Sequence, residues 1–308
     1  MKQPIASWKS WLRKGDTIRS VSQEAVRLDQ DRFVERLSDI QTAAASCPDP
    51  LFKTRSFWQM EKISSEFFKS GEHSMGLSDE RLPPQVRPIA HCGMGIGAVE
   101  LLGFEIDRLL KAIDRFSHPD YRGFARESIG AMLGVYEPGP FLQLARGMRR
   151  LGLIPMADLE RPAVVPYLER FDAECRGLLS HGFGRLMYFR NHSVPAALQA
   201  VRRAPWFEYA PSVRGIAFAM AMVNSRDVMR VIDHHYDCHD PRTEQAFDAG
   251  LIYALVFWEW MAPGFLDDMT PATEAGRRRR SAARDEIESS RKRGFPLSFR
   301  LSDPCSAA

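Results

Sequence analysis

The densest group of potential metal ligands lies between His234 and Asp240, where the sequence reads His-His-Tyr-Asp-Cys-His-Asp. Imidazole, thiolate and carboxylate all bind first-row metals, and in a helix His235 and His239 would share one face. The candidate metal ligands are His234, His235, Asp237, Cys238 and His239. The same residues also suit a polar turn after a helix, so a metal site and a structural turn both remain open.

A second set of reactive side chains lies on or just before apolar segments: His91, Glu100, His181 and Arg185. A buried glutamate or arginine costs several kcal/mol unless a partner or a ligand compensates its charge. Three interpretations are open: an ion pair between Glu100 and Arg185, exposure of one or both, or a ligand site. In a ligand site, Arg185 would hold an acidic group and His181 would transfer a proton.

Familiar catalytic motifs do not account for these residues. The glycine-rich run 93–98 is not followed by Lys-Ser/Thr and no strand precedes it, so it does not predict a phosphate loop. The chain contains no Gly-x-Ser-x-Gly elbow and no His-Glu-x-x-His helix. The chemistry therefore depends on how the surrounding elements place the polar side chains.

Five similar apolar segments form the framework for these residues. They begin at Gly95, Ser128, Gly182, Gly215 and Asp248, at intervals of 33, 54, 33 and 33 residues. The third position of each segment is small, and the fifth and eighth positions are apolar. A small residue at a fixed place lets another backbone approach closely. The five segments thus predict buried helices with a common packing position.

A second, amphipathic segment follows each of the first four apolar segments. Its hydrophobic residues recur at the spacing of one helical face. These second segments are Ile106–Ile113, Phe141–Met148, Val194–Val201 and Val228–Ile232. A two-helix unit of about 33 residues is typical of stacked α-solenoids. The sequence therefore predicts an all-α fold of stacked two-helix repeats, either open and solenoid-like or closed into a compact bundle.

The chain divides into three parts on this interpretation. Residues 1–85 predict N-terminal helices, near 26–45 and 57–69, that pack on the repeat body at 86–270. The interval of 54 residues indicates an insertion at about 151–167, where prolines interrupt the helical pattern. Residues 271–308 contain four consecutive arginines from Arg277 and predict a basic, loosely ordered tail.

The composition limits the classes of protein to which this chain can belong. The 308 residues are 44% hydrophobic and 26% charged, with a net charge of +3, and the mean hydropathy is −0.29. No apolar run is long enough to span a bilayer, and no signal peptide is apparent, so we expect a cytoplasmic protein. The five widely spaced cysteines favour free thiols. The positive charge is concentrated in the tail, so a nucleic-acid partner is not favoured.

Four blocks resemble a bacterial family of unknown function whose members accompany enediyne and related polyketide biosynthesis genes. The blocks are Val86–Ala98, His181–Phe189, Arg214–Ala219 and Ala246–Ala254, within a likeness covering about residues 64–263. The most specific piece is Gly-Phe-Gly-Arg at 182–185. Here alanine and methionine dominate the Gly215 block, where the family has aromatic residues and glycines. The resemblance implies a role near secondary metabolism and supplies no catalytic residues.

The expected function is that of an accessory protein of natural-product biosynthesis, which binds a hydrophobic ligand or a partner protein in a groove between helices. The alternative is an enzyme of the same pathway. It would use Glu100, His181 and Arg185, or a metal at the His234–His239 cluster. We expect no cofactor in the first case and a metal in the last. A third possibility is a structural subunit that works only as a homo-oligomer.

Overall fold

A computed structural model describes residues 29–70, 80–135, 168–234, 236 and 240–292. These residues contain eleven α-helices and no β-strand, so the all-α prediction is confirmed. In chain order they are α1 (Gln30–Ser46), α2 (Pro50–Lys69), α3 (Arg87–Leu102), α4 (Ile106–Phe116), α5 (Arg122–Val135), α6 (Ala173–Asn191), α7 (Val194–Arg202), α8 (Tyr209–Val223), α9 (Val228–Asp233), α10 (Pro241–Met261) and α11 (Glu274–Lys292).

Local sequence signals explain where several helices begin and end. Asp29, Asp172 and Asp240 each accept a hydrogen bond from a backbone N–H in the first turn of α1, α6 and α10. Gly103, with φ of 63°, follows the last residue of α3. His192, with φ of 52°, ends α6 in the left-handed conformation. These short polar or permissive segments let the chain reverse between long helices.

Six long helices form a row in which each packs on the next: α2, α3, α5, α6, α8 and α10. The short helices α4, α7 and α9 occupy the connections after α3, α6 and α8, as the amphipathic segments predicted. The amphipathic segment predicted at 141–148 and the insertion at 151–167 lie outside the described residues. The row brings the apolar segments into successive contact and places their polar residues along its interior.

The two ends of the row meet, which makes the domain a closed bundle. Phe57 on α2 contacts Phe257 and Trp258 on α10, with ring centroids 6.2 and 5.1 Å apart. Gln41 on α1 donates a hydrogen bond of 2.8 Å to the Met261 carbonyl. Buried residues from α1 to α11 belong to one hydrophobic core. The open solenoid is therefore not the form adopted.

Small residues permit the close packing within the row. A β-carbon added at Gly97, Gly130, Gly184 or Gly250 would overlap a backbone carbonyl of a neighbouring helix. Gly97 and Gly250 approach the preceding long helix, whereas Gly130 and Gly184 approach the following one. At four sites the small residue thus allows a neighbouring backbone to approach closely, as predicted. The sites differ in whether that backbone belongs to the preceding or the following helix. These contacts do not establish an exact 33-residue repeat.

The C-terminal prediction is wrong for residues 274–292. Helix α11 packs on α9 and α10, and its Ala283 and Ile287 are buried. Arg279, from the four-arginine run, is 2% exposed. It pairs with Asp248 and donates 2.9 Å to the His234 carbonyl. Arg279 is therefore an internal link, because the helical period turns it towards the bundle, whereas Arg277 and Arg278 are exposed.

No helix in the described part of the chain is both long and apolar enough to cross a membrane.

Candidate functional site

A cavity lies at the centre of the closed row, and all six long helices contribute side chains to it. Most of its wall is apolar or aromatic, while four side chains are polar or ionisable: Glu61, Cys92, Glu127 and Arg185. The apolar and aromatic lining residues are Phe57, Trp58, Ile89, Phe124, Phe189, Phe218, Ala219, Met222 and Phe257. An apolar cavity with a few convergent polar groups is the usual form of a small-molecule site.

The cavity is small. Its volume is about 40 Å³. A cavity of this size holds a few waters or a group of similar size. It can therefore receive one end of a ligand without rearrangement of the bundle, but not a large molecule as a whole.

Glu127 is the centre of the polar network. Its carboxylate accepts hydrogen bonds of 2.9 and 2.8 Å from Nη1 of Arg185, one at each oxygen. Its Oε1 also accepts a bond of 2.7 Å from Nδ1 of His181. Glu127 is fully buried, and α5 positions it opposite the two α6 residues, which lie one helical turn apart. The network therefore joins α5 to α6 beside the cavity.

The charged groups of this network stabilise one another in their ionised forms. Burial alone would raise the pKa of Glu127, but Arg185 and His181 outweigh it and hold that pKa below its ordinary value. Burial likewise opposes the charge on Arg185, but Glu127 more than compensates and raises the pKa of the guanidinium. The pair is therefore ionised around neutral pH, and removal of either partner would leave an isolated buried charge.

Glu61 adds a second carboxyl group to the cavity wall. It lies on α2, is 7% exposed, and its Oε1 is 3.8 Å from Nη2 of Arg185. The guanidinium of Arg185 also lies 5.6 Å from the centre of the Phe218 ring. Arg185 thus bridges carboxyl groups of α2 and α5 and contacts an aromatic face of α8.

Cys92 contributes a thiol to the cavity wall, but its surroundings suppress its reactivity. Burial and the neighbouring carboxylates raise the pKa of the Cys92 thiol far above its ordinary value, against the opposing effect of Arg185. Since the thiolate is the nucleophilic form, Cys92 is unsuited to covalent catalysis here. It acts as a small side chain that shapes the wall.

The structure brings together two of the four residues predicted for the inner site. Arg185 lines the cavity, and His181 lies against it through Glu127. His181 is 1% exposed and packs between Phe218 and Tyr253. His181 is not one of the described residues that line the cavity. It therefore orients Glu127 and is not placed to exchange a proton directly with a bound molecule.

Of the three interpretations left open by the sequence, the ion pair between Glu100 and Arg185 is not formed. Glu100 instead pairs with Lys69 of α2, with Oε2 and Nζ 2.6 Å apart. Glu100 lies near the C-terminal end of α3, whereas Arg185 faces the cavity and is held by Glu127. The helical turn that carries Glu100 thus faces α2 and not α6.

His91 is also separate from the cavity wall. Its Nδ1 donates to the Arg87 carbonyl over 2.7 Å, and its Nε2 accepts from the His118 backbone N–H over 3.0 Å. Burial lowers the pKa of His91 to about 3. A neutral imidazole with both nitrogens bonded to backbone groups links α3 to the turn before α5, which is a structural role.

The predicted metal cluster falls mostly outside the described residues. Of His234, His235, Asp237, Cys238 and His239, only His234 is described, and its ring packs 4.5 Å from that of Tyr236. Within the described ranges, no group of three His, Cys, Asp or Glu side chains is arranged to hold a metal ion. The metal hypothesis for this cluster remains a sequence prediction.

Sequence reasoning missed both carboxyl groups of the cavity, Glu127 and Glu61. The sequence does contain a pattern that could have identified Glu127. It directly precedes the second apolar segment, just as His181 and Arg214 precede the third and fourth. All three polar residues in this position are buried. Glu61 lies on α2, before the first segment, so comparison of the segments could not identify it.

Comparison with models of known protein families, with curated proteins and with solved structures gave no match to this chain.

Proposed function

We propose that this protein binds a small molecule and serves as an accessory protein of bacterial natural-product biosynthesis. The ligand is mainly apolar, and one end of it enters the central cavity. The observation that supports this most directly is the cavity itself, in which Arg185 and two carboxyl groups share a wall with aromatic side chains. The biosynthetic setting rests on the sequence resemblance alone.

A binding role accounts for the polar network better than catalysis does. Arg185 is fixed by Glu127, and Glu127 is fixed by His181, so the polar groups keep one arrangement before a ligand arrives. A preorganised site needs less ordering when it binds. The enzyme alternative relies on Glu100 and His181 beside Arg185, but neither of the two lines the cavity. Cys92, which does line it, is held as a thiol.

The proposal is tested by titrating the protein with n-butanol, an amphipathic probe small enough to enter in part. The signals of the methionine methyl groups are followed by NMR, because Met222 lines the cavity whereas the buried Met269 does not. We expect a saturable shift of the Met222 signal, with a dissociation constant of roughly 1 mM or weaker for so few atoms. The Met269 signal should change little.

Ala219→Leu is the diagnostic variant, since Ala219 lines the cavity and a larger side chain would fill it. We expect it to weaken n-butanol binding at least about tenfold. Leu101→Ala, at a side chain that is 50% exposed, is the matched control and should bind as the wild type does. Ala219→Val replaces the first variant if leucine prevents folding. Equal binding by the filled variant, or shifts that never saturate, would refute the proposal.

A further inference from the structure

The hydrogen-bond donors of Arg185 indicate what kind of group the cavity accepts. Only Nη1 donates to Glu127. Nη2 lies 3.8 Å from Glu61, beyond hydrogen-bond distance, and within the described part of the chain Nε has no acceptor. Arginine has five N–H donors in a fixed plane. The side chain that lines the cavity thus retains donors for a ligand oxygen, and a ligand that satisfies them must offer a hydrogen-bond acceptor.

The charges around Arg185 decide which acceptors fit. Its positive charge is already balanced by Glu127, whose two oxygens it contacts. The next ionisable group on the wall is another carboxyl group, Glu61. A carboxylate or phosphate ligand would therefore bring negative charge next to two carboxyl groups inside the bundle. Burial of a charge without a counter-charge is costly, so the acidic ligand expected from the sequence is disfavoured.

A cationic ligand fails for a different reason. An ammonium or amidinium group would meet the carboxyl group of Glu61, but it would also lie beside the guanidinium of Arg185. It offers no acceptor for the remaining donors of Arg185, and it places a like charge beside the guanidinium. A neutral group avoids both penalties. A carbonyl accepts from Arg185, and a hydroxyl or an amide N–H can in addition donate to Glu61.

We infer that the cavity recognises a neutral, hydrogen-bond-accepting end of its ligand, such as a carbonyl, hydroxyl or amide, and rejects carboxylates and cations of the same size. This inference rests on the proposed binding function and specifies the class of ligand. It explains why a cavity with three ionisable residues has mainly apolar walls: the charges are satisfied largely by one another, and the ligand completes only the remaining hydrogen bonds.

Three nearly identical probes separate the charge from the shape of the ligand. Propionamide, propionate and propionamidinium have the same number of heavy atoms and the same planar end group, with charges of 0, −1 and +1 at neutral pH. Each is titrated into the full chain while the Met222 signal is observed. We expect propionamide to bind at least about tenfold more tightly than either ion.

Glu61→Gln tests the cause of this selectivity. Loss of the second carboxyl group should reduce the discrimination against propionate to about threefold or less, while propionamide binding changes little. Glu100→Gln is the matched control, because Glu100 pairs with Lys69 on another surface of the same helices. It should leave the order and the ratios of the three affinities unchanged.

The outcomes for the inference and for the function are distinguishable. Tightest binding of propionate or propionamidinium would overturn the inference, as would n-butanol binding with no preference for propionamide, and both results leave the binding function intact. Failure of all four probes to bind saturably would overturn the function and the inference together. Unchanged discrimination in Glu61→Gln would show that the carboxyl group does not set the selectivity, which also contradicts the inference.

Discussion

Two buried histidines show how the hydrogen-bonding partner, more than the residue type, decides what a side chain does. His181 donates to a carboxylate and belongs to the polar network at the cavity. The ring nitrogens of His91 hydrogen-bond to backbone groups, the Arg87 carbonyl and the His118 N–H. Both histidines precede glycine-rich segments, so the sequence treats them alike. Only the environment of each ring separates the two roles.

The environment of His91 predicts how stability depends on pH. Burial lowers its pKa from 6.5 in the unfolded chain to about 3 in the folded protein. Below pH 6.5 the unfolded chain binds a proton that the folded protein does not, so this contribution to stability is lost as the pH falls towards 3. The loss approaches about 1.4 kcal/mol per pH unit.

His91→Gln tests this, because a glutamine amide can donate to Arg87 and accept from His118 without titrating. The free energy of unfolding is measured in urea at pH 7 and pH 5 for both proteins. Between these values the wild type should lose about 2 kcal/mol more than the variant does. Parallel pH profiles would mean that His91 is protonated in the folded protein or exchanges with solvent.

At the scale of elements, the spacing between α6 and α8 depends on two glycines. A β-carbon at Gly184 would overlap the Ser212 carbonyl, and one at Gly215 would overlap the His181 carbonyl. Both obstacles are backbone atoms, which cannot rotate away as a side chain does. The helices can approach this closely only because neither position carries a side chain, and Arg185 is held at the cavity by the same packing.

Gly184→Ala should therefore destabilise the protein although alanine favours helix by about 1 kcal/mol. We expect a net loss of about 2 kcal/mol, measured by urea unfolding, because the two helices must separate. Gly134→Ala is the matched control in α5. Its β-carbon would meet a side-chain methyl of Leu186 at 2.9 Å, which can move. Its cost should stay within about 1 kcal/mol, and equal costs for the two changes would contradict the backbone argument.

For the whole molecule, closure of the row is the decisive property. An open stack is held by contacts between neighbouring units, so its ends can separate from its middle. Here Phe57 joins the first and last long helices and is 1% exposed. The cavity has a complete wall only when this contact is made. Closure thus links global stability to the existence of the site.

Phe57→Ala should destabilise the bundle by about 3–5 kcal/mol and abolish saturable n-butanol binding under conditions where the variant is still folded. Wild-type unfolding should follow one transition, with coincident curves from circular dichroism and tryptophan fluorescence. Phe52→Ala on the same helix is the control, since Phe52 is 41% exposed, and it should change little. Two separate wild-type transitions would indicate that the ends of the row unfold independently.

Local patterns in the sequence were sufficient to predict the six long helices of the row and the close approaches at Gly97, Gly130, Gly184 and Gly250. Helical periodicity, capping residues and small positions act over a few residues, so their effects can be recognised without knowing the fold. The same local evidence misjudged the four-arginine run, because the sequence did not show that Asp248 and the His234 carbonyl would meet Arg279.

The tertiary structure alone decided which charges meet. Glu100 and Glu127 both lie in apolar, glycine-containing helices, and from the sequence either could be the partner of Arg185. The rotation of each helix and the closure of the row turned Glu127 and Glu61 towards Arg185, and Glu100 towards Lys69. Those rotations result from the packing of six helices at once. For this reason the helices could be predicted from the sequence, whereas the partners of Arg185 required the folded structure.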